Sequence, residues 1–382
     1  MAEAVPRARQ PPSWADLPLD LAGTVLRFLP AYVDRTSFAA VCPQWRAATQ
    51  YLPLPPPLPL LALPNGTFYS LPYGKPFRFP GYKTACCGSW LVFPRDDGCF
   101  LVNPFSGATV TLPALSRVRL RPPNAVARTY PTWMDIMEPK KMPILNKLIL
   151  CSPNLVAAFA GSPHLGAGHI SQILMCQPGA SSWSVRAYDK CKLFEDMAFF
   201  RGKLYALAAD ENLLIVNISQ DPITGDPQIS RIGQVIKGDP CYPNLFSSKK
   251  KLYLIESSDT LLMVRRKVYC KTAGGLFVAG KNEFEVFEAD LERSQWVTVT
   301  TLGEDQMLFL GQPSSRAVSA SQYGMQNDQI LFLDDIMVNH MDYSYVEEIT
   351  SVSAYDMRTG KVSSPLPMVW NHEMLHVTWL FP

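Results

Sequence analysis

The tightest constraint on this chain is a recurring pair of apolar runs joined by a short acidic or polar turn. Gly202-Lys203-Leu204-Tyr205-Ala206-Leu207 leads through Asp210-Glu211-Asn212 to Leu213–Asn217. Lys250-Lys251-Leu252-Tyr253-Leu254-Ile255 leads through Ser257-Ser258-Asp259 to Leu261–Val264. Ser89–Phe93 leads through Asp96-Asp97-Gly98 to Cys99-Phe100-Leu101-Val102-Asn103-Pro104-Phe105-Ser106-Gly107. Gln329–Asp334 leads, after an insertion, to Val352–Tyr355 and Asp356-Met357-Arg358-Thr359-Gly360. Short turns between β-patterned runs make hairpins. Hairpin units that return every roughly 40 to 60 residues read as propeller blades. The spacing predicts about six blades, with five or seven also compatible. Trp183 and Trp296, in SSWSVRAY and RSQWVTVT, fit outer strands. The closing run Leu375–Phe381 reads as a terminal strand that completes the first blade and closes the ring.

Composition agrees with a globular, turn-rich chain. Of 382 residues, 47% are hydrophobic and 18% charged, and 34 are proline. A net charge of only +2 gives no reason to expect nucleic acid or another polyanion as partner. No run reaches the roughly 18 to 20 apolar residues of a membrane span, and the first residues carry no apolar signal core. The nine cysteines form no C-x-x-C, so zinc ribbons and thioredoxin-type motifs are not expected. A reducing compartment, the cytoplasm and/or nucleus, is the expected location. The sequons at Asn65 and Asn217 are then idle.

Before Asn65 the periodicity is different. Residues 1–12 are polar and Pro-rich and read as disordered. From residue 13 to 50, Leu17, Leu21, Val25 and Phe28/Leu29 recur at helical spacing, and Leu26 widens the apolar face. Pro18 suits a first helical turn, and Pro30 ends that helix. Asp34 is placed to cap a second short helix carrying Phe38 and Val41, and Pro43 starts a third carrying Trp45. Three short helices cannot hide this much Leu, Val and Trp among themselves, which marks the stretch as a docking element. Residues 51–64 include Leu52–Pro64, a proline-rich run read as a semi-rigid linker. The β-rich domain is expected over 65–382.

The order W-x-x-L-P-x-D-L, apolar helix, Asp, V-C-x-x-W-R resembles an F-box over about 35 residues. Leu17-Pro18, Asp20-Leu21, Leu29, Asp34, Val41-Cys42 and Trp45-Arg46 all fall in register. The resemblance implies binding to a Skp-type adaptor and, through it, to a cullin-based ubiquitin ligase. It makes Leu17, Pro18, Leu21, Val25, Leu26, Leu29, Val41, Cys42 and Trp45 the candidates for the adaptor contact or its immediate support. The segments G-S-W-L-V-F … F-L-V-N-P-F-S-G, Met307-Leu308-Phe309-Leu310-Gly311 and the C-terminal T-W-L-F-P extend the likeness. With them the whole chain is similar to plant F-box proteins bearing a KIB-type β-propeller. The implied class is mostly β with a small N-terminal α domain, a three-helix F-box before the propeller.

Chemical motifs are weighed against plainer readings. His372-Glu373-Met374-Leu375-His376 matches the zinc-binding pattern H-E-x-x-H, which requires a helix to put both imidazoles on one face. Here it runs into a strand-like segment and has no further ligand downstream, so no metal is expected. His164, His169 and His340 have no ligand spacing, and Gly166-Ala167-Gly168 is no nucleotide loop. Asp96-Asp97 and Asp334-Asp335 read as hairpin turns. Lys249-Lys250-Lys251 and Arg265-Arg266-Lys267 read as one exposed basic patch at the ends of a hairpin, or as a nuclear localisation signal. The sequence thus points to a non-catalytic adaptor with no cofactor, no catalytic residue and an unidentified substrate protein. An F-box scaffold outside ubiquitination is the alternative, and a propeller enzyme acting on a carbohydrate or small molecule is the more distant one.

Overall fold

The computed structural model describes residues 14–63, 65–71, 75–78, 86–95, 98–121, 144–161, 170–186, 192–238, 248–273, 276–312, 314–339, 345–364 and 377–382. Three helices come first: α1, Leu19–Arg27; α2, Tyr32–Val41; and α3, Pro43–Tyr51. Pro18 occupies the N-cap of α1, and Pro43 the first turn of α3, where a missing N–H costs nothing. The N-cap of α2 is Ala31, without a side-chain cap; Asp34 sits one turn further in, not at the capping position the sequence suggested. Among the described residues after Tyr51, the regular structure is almost all strand.

Hydrogen bonding groups the strands of this β-propeller into five sheets, four of four or five strands and one of nine. The first holds Leu60–Ala62, Thr67–Ser70 and Lys75–Arg78, with Thr378–Leu380 from the other end of the chain paired to Leu60–Ala62. The ring therefore closes as the terminal run predicted. The second is a meander of Cys86–Cys87, Trp90–Arg95, Gly98–Val102 and Thr109–Thr111. The nine-stranded sheet has two halves. Its first half runs Ile144–Ser152, Leu155–Gly161, Ile170–Cys176 and Trp183–Arg186, with Val118–Arg121 added in parallel. Its second half runs Lys192–Phe200, Lys203–Ala208, Leu213–Gln220 and Pro227–Ile236. The halves meet through the pairs Ile170–Leu193 and Ser171–Lys192. The fourth sheet is Ser248–Ser257, Thr260–Ala273, Leu276–Asp290 and Gln295–Val299. The fifth, in spatial order, is Arg316–Ser319, Gln306–Leu310, Gln329–Asn339, Tyr345–Asp356 and Lys361–Ser363.

Inner strands are apolar at every position because both faces are buried. Leu60 and Ala62 pack with Phe68 and Leu91, whereas Leu61 and Leu63 pack with Phe309 and Trp379. Val156, Ala158 and Ala160 face Leu101 and Trp183, whereas Ala157 and Phe159 face Met197 and Leu204. Tyr253 and Ile255 face Phe332; Leu252 and Leu254 face Leu207. The period of two thus assigns each residue to one of two apolar layers, not to core or solvent.

The outer turns repeat more closely than the strands do. Asn103 Oδ1 accepts from the backbone N–H groups of Phe105 and Ser106 (2.9 and 3.0 Å), and Gly107 completes the turn at φ +73°. Asp221 Oδ1 accepts from Ile223 and Thr224 (both 2.9 Å), followed by Gly225 at φ +73°. Asp356 Oδ1 accepts from Arg358 (2.8 Å), followed by Gly360 at φ +68°. Asp290 Oδ1 accepts from Arg293 (2.9 Å), and here Ser294 takes the left-handed position at φ +55°. An Asx turn ending in a left-handed residue joins the last two strands in each case.

Several expectations change. Leu60–Ala62 is propeller strand, so the segment 51–64 is not wholly linker, and Leu58 is buried where a free spacer would be exposed. Trp296 lies on an edge strand as expected, whereas the strand of Trp183 is paired on both sides, with Ile170–Cys176 and Val118–Arg121, and Trp183 is fully buried, its Nε1 donating to the Pro113 carbonyl at 3.0 Å. Asp334 and Asp335 lie inside a strand, at a register shift, not in a turn. The two basic runs do pair, Lys251 opposite Arg266 and Lys250 opposite Lys267. Among the described side chains they form no exposed patch: Lys251, Arg265 and Arg266 are buried, and Lys250 and Lys267 half-buried. Glu211 accepts Lys250 at 2.9 Å and also binds Arg265, which reaches Glu285 at 3.0 Å. Arg266 stacks 4.5 Å over Phe332 and donates to Asn282 and the Leu333 carbonyl.

Near the ring axis, polar contacts tie successive sheets together. Lys147 pairs with Asp196, whose second oxygen accepts from the Leu254 N–H at 2.9 Å. Burial pushes the Asp196 carboxyl up from its ordinary value, and Lys147 opposes that push. The Cys87 thiol donates to the Leu148 carbonyl at 2.7 Å. Phe381 N–H donates to the Gly88 carbonyl at 3.0 Å, and Gly88 N–H donates to Ser314 Oγ at 3.1 Å. At the closure itself Trp379 Nε1 donates to the Leu310 carbonyl at 2.8 Å. A Cβ on Gly311 would come within 2.8 Å of the Trp379 ring and 2.9 Å of the Ser314 carbonyl oxygen.

That crowding makes Gly311→Ala destabilising. Urea unfolding should give a loss of about 1–3 kcal/mol, with Gly107→Ala, at an uncrowded φ +73° turn, near the lower end. Burial also raises the thiols of Cys99 to about 11 and of Cys87 and Cys151 to about 12, and raises Cys176 further. Iodoacetamide at about pH 8 should therefore leave these four unmodified in native protein and label them after denaturation, as read by peptide mass spectrometry.

Candidate functional site

The helical cap has a complete core of its own. Ala22, Leu26, Phe38 and Ala48 are buried, with Leu17, Leu29, Trp45, Leu52 and Leu54 packed partly against them. Phe38 and Trp45 stack with centroids 4.3 Å apart. Trp45 Nε1 donates to the Trp14 carbonyl at 3.1 Å, and Gln44 Nε2 to the Leu17 carbonyl at 2.9 Å. Cys42 caps α3, its Sγ accepting from the Trp45 N–H at 3.4 Å.

Helix α1 carries two apolar stripes at the same i, i+4, i+7 spacing. Ala22, Leu26 and Leu29 line the inner one. Leu21, Val25 and Phe28 form the second, and it is open to water: Leu21 is 50% and Phe28 79% exposed. Val41 at the end of α2, Leu19 and Trp14 add to the exposed apolar surface. Full burial of such a side chain contributes about 1.5–3 kcal/mol, so a covering partner has several kcal/mol available.

The residues expected from sequence divide accordingly. Pro18, Leu21, Val25 and Val41 are exposed. Leu26 has no exposed surface and supports the face from beneath. Leu17, Leu29, Cys42 and Trp45 are half-buried between the two. Trp14, Leu19, Phe28 and Tyr51 are exposed large residues that were not among the candidates for the adaptor contact. The available signal was the doubled stripe of α1.

The cap is fastened to the propeller through α2 and the proline run. Tyr32 packs against Phe77 and edge-on against Phe105, at 6.0 and 5.3 Å. Val33 N–H donates to Ser70 Oγ at 3.3 Å, and Leu58 N–H to the Pro30 carbonyl at 2.8 Å. Arg35 Nε donates to the Leu29 carbonyl at 2.7 Å, and its Nη1 bonds to the Pro55 carbonyl. Burial lowers the Arg35 pKa, with the nearby Tyr323 opposing.

A second feature is a cavity of about 500 Å³ on the ring axis. Trp90, Lys147, Met197, Leu254 and Arg316 bring four of the sheets to its wall, and Phe381, directly after the closing strand Thr378–Leu380, adds the end of the first. The motifs at His164, Gly166, His169, His340 and His372–His376, the pair Asp96-Asp97 and residues 1–12 lie outside the described residues. Among the described residues no group of three His, Cys, Asp or Glu is placed to hold a metal ion, and no helix is long and apolar enough to cross a membrane.

Comparison with known proteins supplies the family. The chain is similar to three proteins of Arabidopsis thaliana. F-box only protein 7 is 24% identical over 79% of this chain and 73% of its own length. F-box protein At1g10110 is 23% identical over 92% and 90%, and F-box protein SKIP23 is 22% identical over 91% and 90%. A family model described as KIB1-4 beta-propeller matches residues 62–356, which begins inside the first strand and takes in most of the ring. The chain belongs to the KIB1-4 beta-propeller family, among plant relatives named as F-box proteins.

Proposed function

We propose that this chain is the substrate-recognition subunit of a Skp–cullin–F-box ubiquitin ligase. Its cap binds a Skp-type adaptor and, through it, a cullin, while its propeller recruits a target protein. The observation that carries this reading is the exposed stripe Leu21, Val25 and Phe28 beside Val41, on a cap whose core is already filled by Ala22, Leu26, Phe38 and Ala48. Such a stripe seats a helix or groove of a partner. Leu17, Pro18, Leu21, Val25 and Val41 make the contact, with Leu26, Leu29, Cys42 and Trp45 behind it. The F-box names of relatives that align along most of their length support the assignment.

The subunit performs no chemistry of its own. It raises the effective concentration of target beside ligase. The packed segment Leu52–Pro59, tied by Arg35 and Leu58, holds the two functions at a set distance. We read the ring as six blades, the two halves of the nine-stranded sheet counted separately; the six apolar layers between neighbouring units support this reading. The buried unpaired thiols suit a reducing compartment, cytoplasm and/or nucleus.

The test is capture of a Skp-type adaptor by the full chain. The double variant Leu21→Asp, Val25→Asp should weaken capture by about 30-fold or more while leaving the thermal melt of the propeller in place. Equal capture by variant and wild type would remove the adaptor reading. Capture of adaptor without cullin, and without a change in the lifetime of any bound protein, would favour a scaffold.

A further inference from the structure

The fourth and fifth sheets each carry a hairpin that outruns its neighbours. In the fifth, Gln329–Asn339 and Tyr345–Asp356 pair along nearly their whole length. The strands beside them stop early: Gln306–Leu310 pairs with residues 330–332, and Lys361–Ser363 with residues 354–356. Residues 333–339 and 345–352 continue as a two-stranded ribbon, roughly 20 Å long at ~3.3 Å per residue. In the fourth sheet, Thr260–Ala273 and Leu276–Asp290 run past the last rung of Ser248–Ser257, which is Tyr269. Both ribbons point away from the cap. Ser258, just before Thr260, lines a cavity under Pro56, Pro57 and Pro59. So does Gln306, whose carbonyl accepts from the Asp328 N–H at 2.8 Å. Each hairpin thus starts at the end of the ring where the proline segment lies and leads to the other end. They set out side by side, Arg266 donating to the Leu333 carbonyl at 2.9 Å and Phe284 packing on Phe332 at 4.8 Å.

We propose that the outer edge of the fifth sheet's ribbon, residues 345–352, receives a basic, extended segment of the recruited protein as a further strand. The proposal rests on the recruiting role given above and adds to it a face and a mode of binding. A two-stranded ribbon is marginally stable in water, and a bare strand edge is a template for another strand. Among the described strands none pairs with this edge before Lys361–Ser363 joins at Ala354. Lys and Pro, which blunt exposed edges in many sheets, do not occur in residues 345–352. The charged residues there are Glu347 and Glu348, opposite Met337 and Ile336 in the register. Asp334 and Asp335 lie on the partner strand, and no Lys or Arg occurs from residue 329 to 356. The sign of this charge selects the occupant. A second copy of the strand would bring like charges together, whereas Lys or Arg on an incoming strand pairs across. Because the whole chain carries only +2, its pull on a cationic segment is local to the ribbon. Adaptor face and target edge then lie toward opposite ends of the ring, so both can be engaged at once.

The probe is a fluorescein-labelled octapeptide of alternating Lys and Thr, added to the full chain at low salt and read by fluorescence anisotropy. It should bind, and the matching Glu-Thr peptide should not. Methylating every backbone nitrogen of the Lys-Thr peptide, which keeps its charge and removes its backbone donors, should weaken binding at least about 10-fold. The double variant Glu347→Lys, Glu348→Lys should weaken binding by about 10-fold with an unchanged thermal midpoint. Leu21→Asp, Val25→Asp, which tests the cap, should bind the peptide like wild type, so a failure of the adaptor reading and a failure of this one are told apart. Equal binding by the charge-reversed variant, equal binding of the methylated or the acidic peptide, or no binding of the Lys-Thr peptide would each overturn the proposal. So would a dimer of the full chain in sedimentation velocity that the Lys-Thr peptide disperses, which would assign the edge to a second copy.

Discussion

The pairing of Thr378–Leu380 with Leu60–Ala62 is the interaction on which the molecule depends. Without it the first sheet loses its fourth strand and the apolar layer around Leu61, Phe309, Leu331 and Trp379 loses one wall. Those residues come from both ends of the propeller sequence, so no local segment can assemble the layer. Trp379 concentrates the closure. It is fully buried, meets Phe309 edge-on at 5.1 Å, and donates to the Leu310 carbonyl. Gly311 leaves the room that its indole needs. The axial contacts then tie the inner strands to one another: Cys87 to Leu148, Lys147 to Asp196, Asp196 to Leu254, and Gly88 to Ser314.

The cap is part of the same construction. Its proline-rich exit does not hang between two bodies but lies against both. Leu52 fills the space over Gly23 in α1, Leu54 joins the cap's core, and Leu58 is buried in the closing layer of the propeller. Arg35 binds carbonyls on either side of that exit. Segments that proline keeps from regular hydrogen bonding are instead held by side-chain burial and by one arginine. The outward-facing stripe of α1 is therefore presented on a rigid mount.

Much of this was legible in the sequence, for physical reasons that differ by region. The cap was readable because helical spacing, Pro18, Pro30 and Pro43 mark its elements, and its surplus of apolar residues announces a partner face. Its finer division was not. Leu21 and Leu26 look alike as letters, and only packing separates the covered stripe from the open one. The hairpins were readable from K-L-Y-x-L runs and acidic turns. Their grouping into sheets was not, because a strand buried on both faces carries no mark of which neighbour it meets. L-P-L-L-A-L-P reads equally as polyproline and as strand, and the partner that decides, Thr378–Leu380, lies about 320 residues away in the chain. Lys251, Arg265 and Arg266 misled because cationic runs are usually exposed. Glu211 and the Phe332 ring, far off in sequence, give Arg265 and Arg266 buried partners. The Asx turns at Asp221 and Asp290 repeat those at Asn103 and Asp356, but a serine in place of the final glycine at Ser294 hides one of them.

Closure by the two ends has a consequence for biosynthesis. The strand Leu60–Ala62 emerges from the ribosome about 320 residues before its partner Thr378–Leu380. Until Thr378–Leu380 is made, the first sheet presents a bare strand edge, and the apolar face carrying Leu61 and Leu63 stays uncovered. The cap, whose core needs no later residue, has its own side chains in hand long before then. A chain interrupted anywhere upstream of Thr378 thus releases a product with a finished docking face and an unfinished ring. Such a fragment would compete for the cap's partner while exposing the surface that chaperones hold.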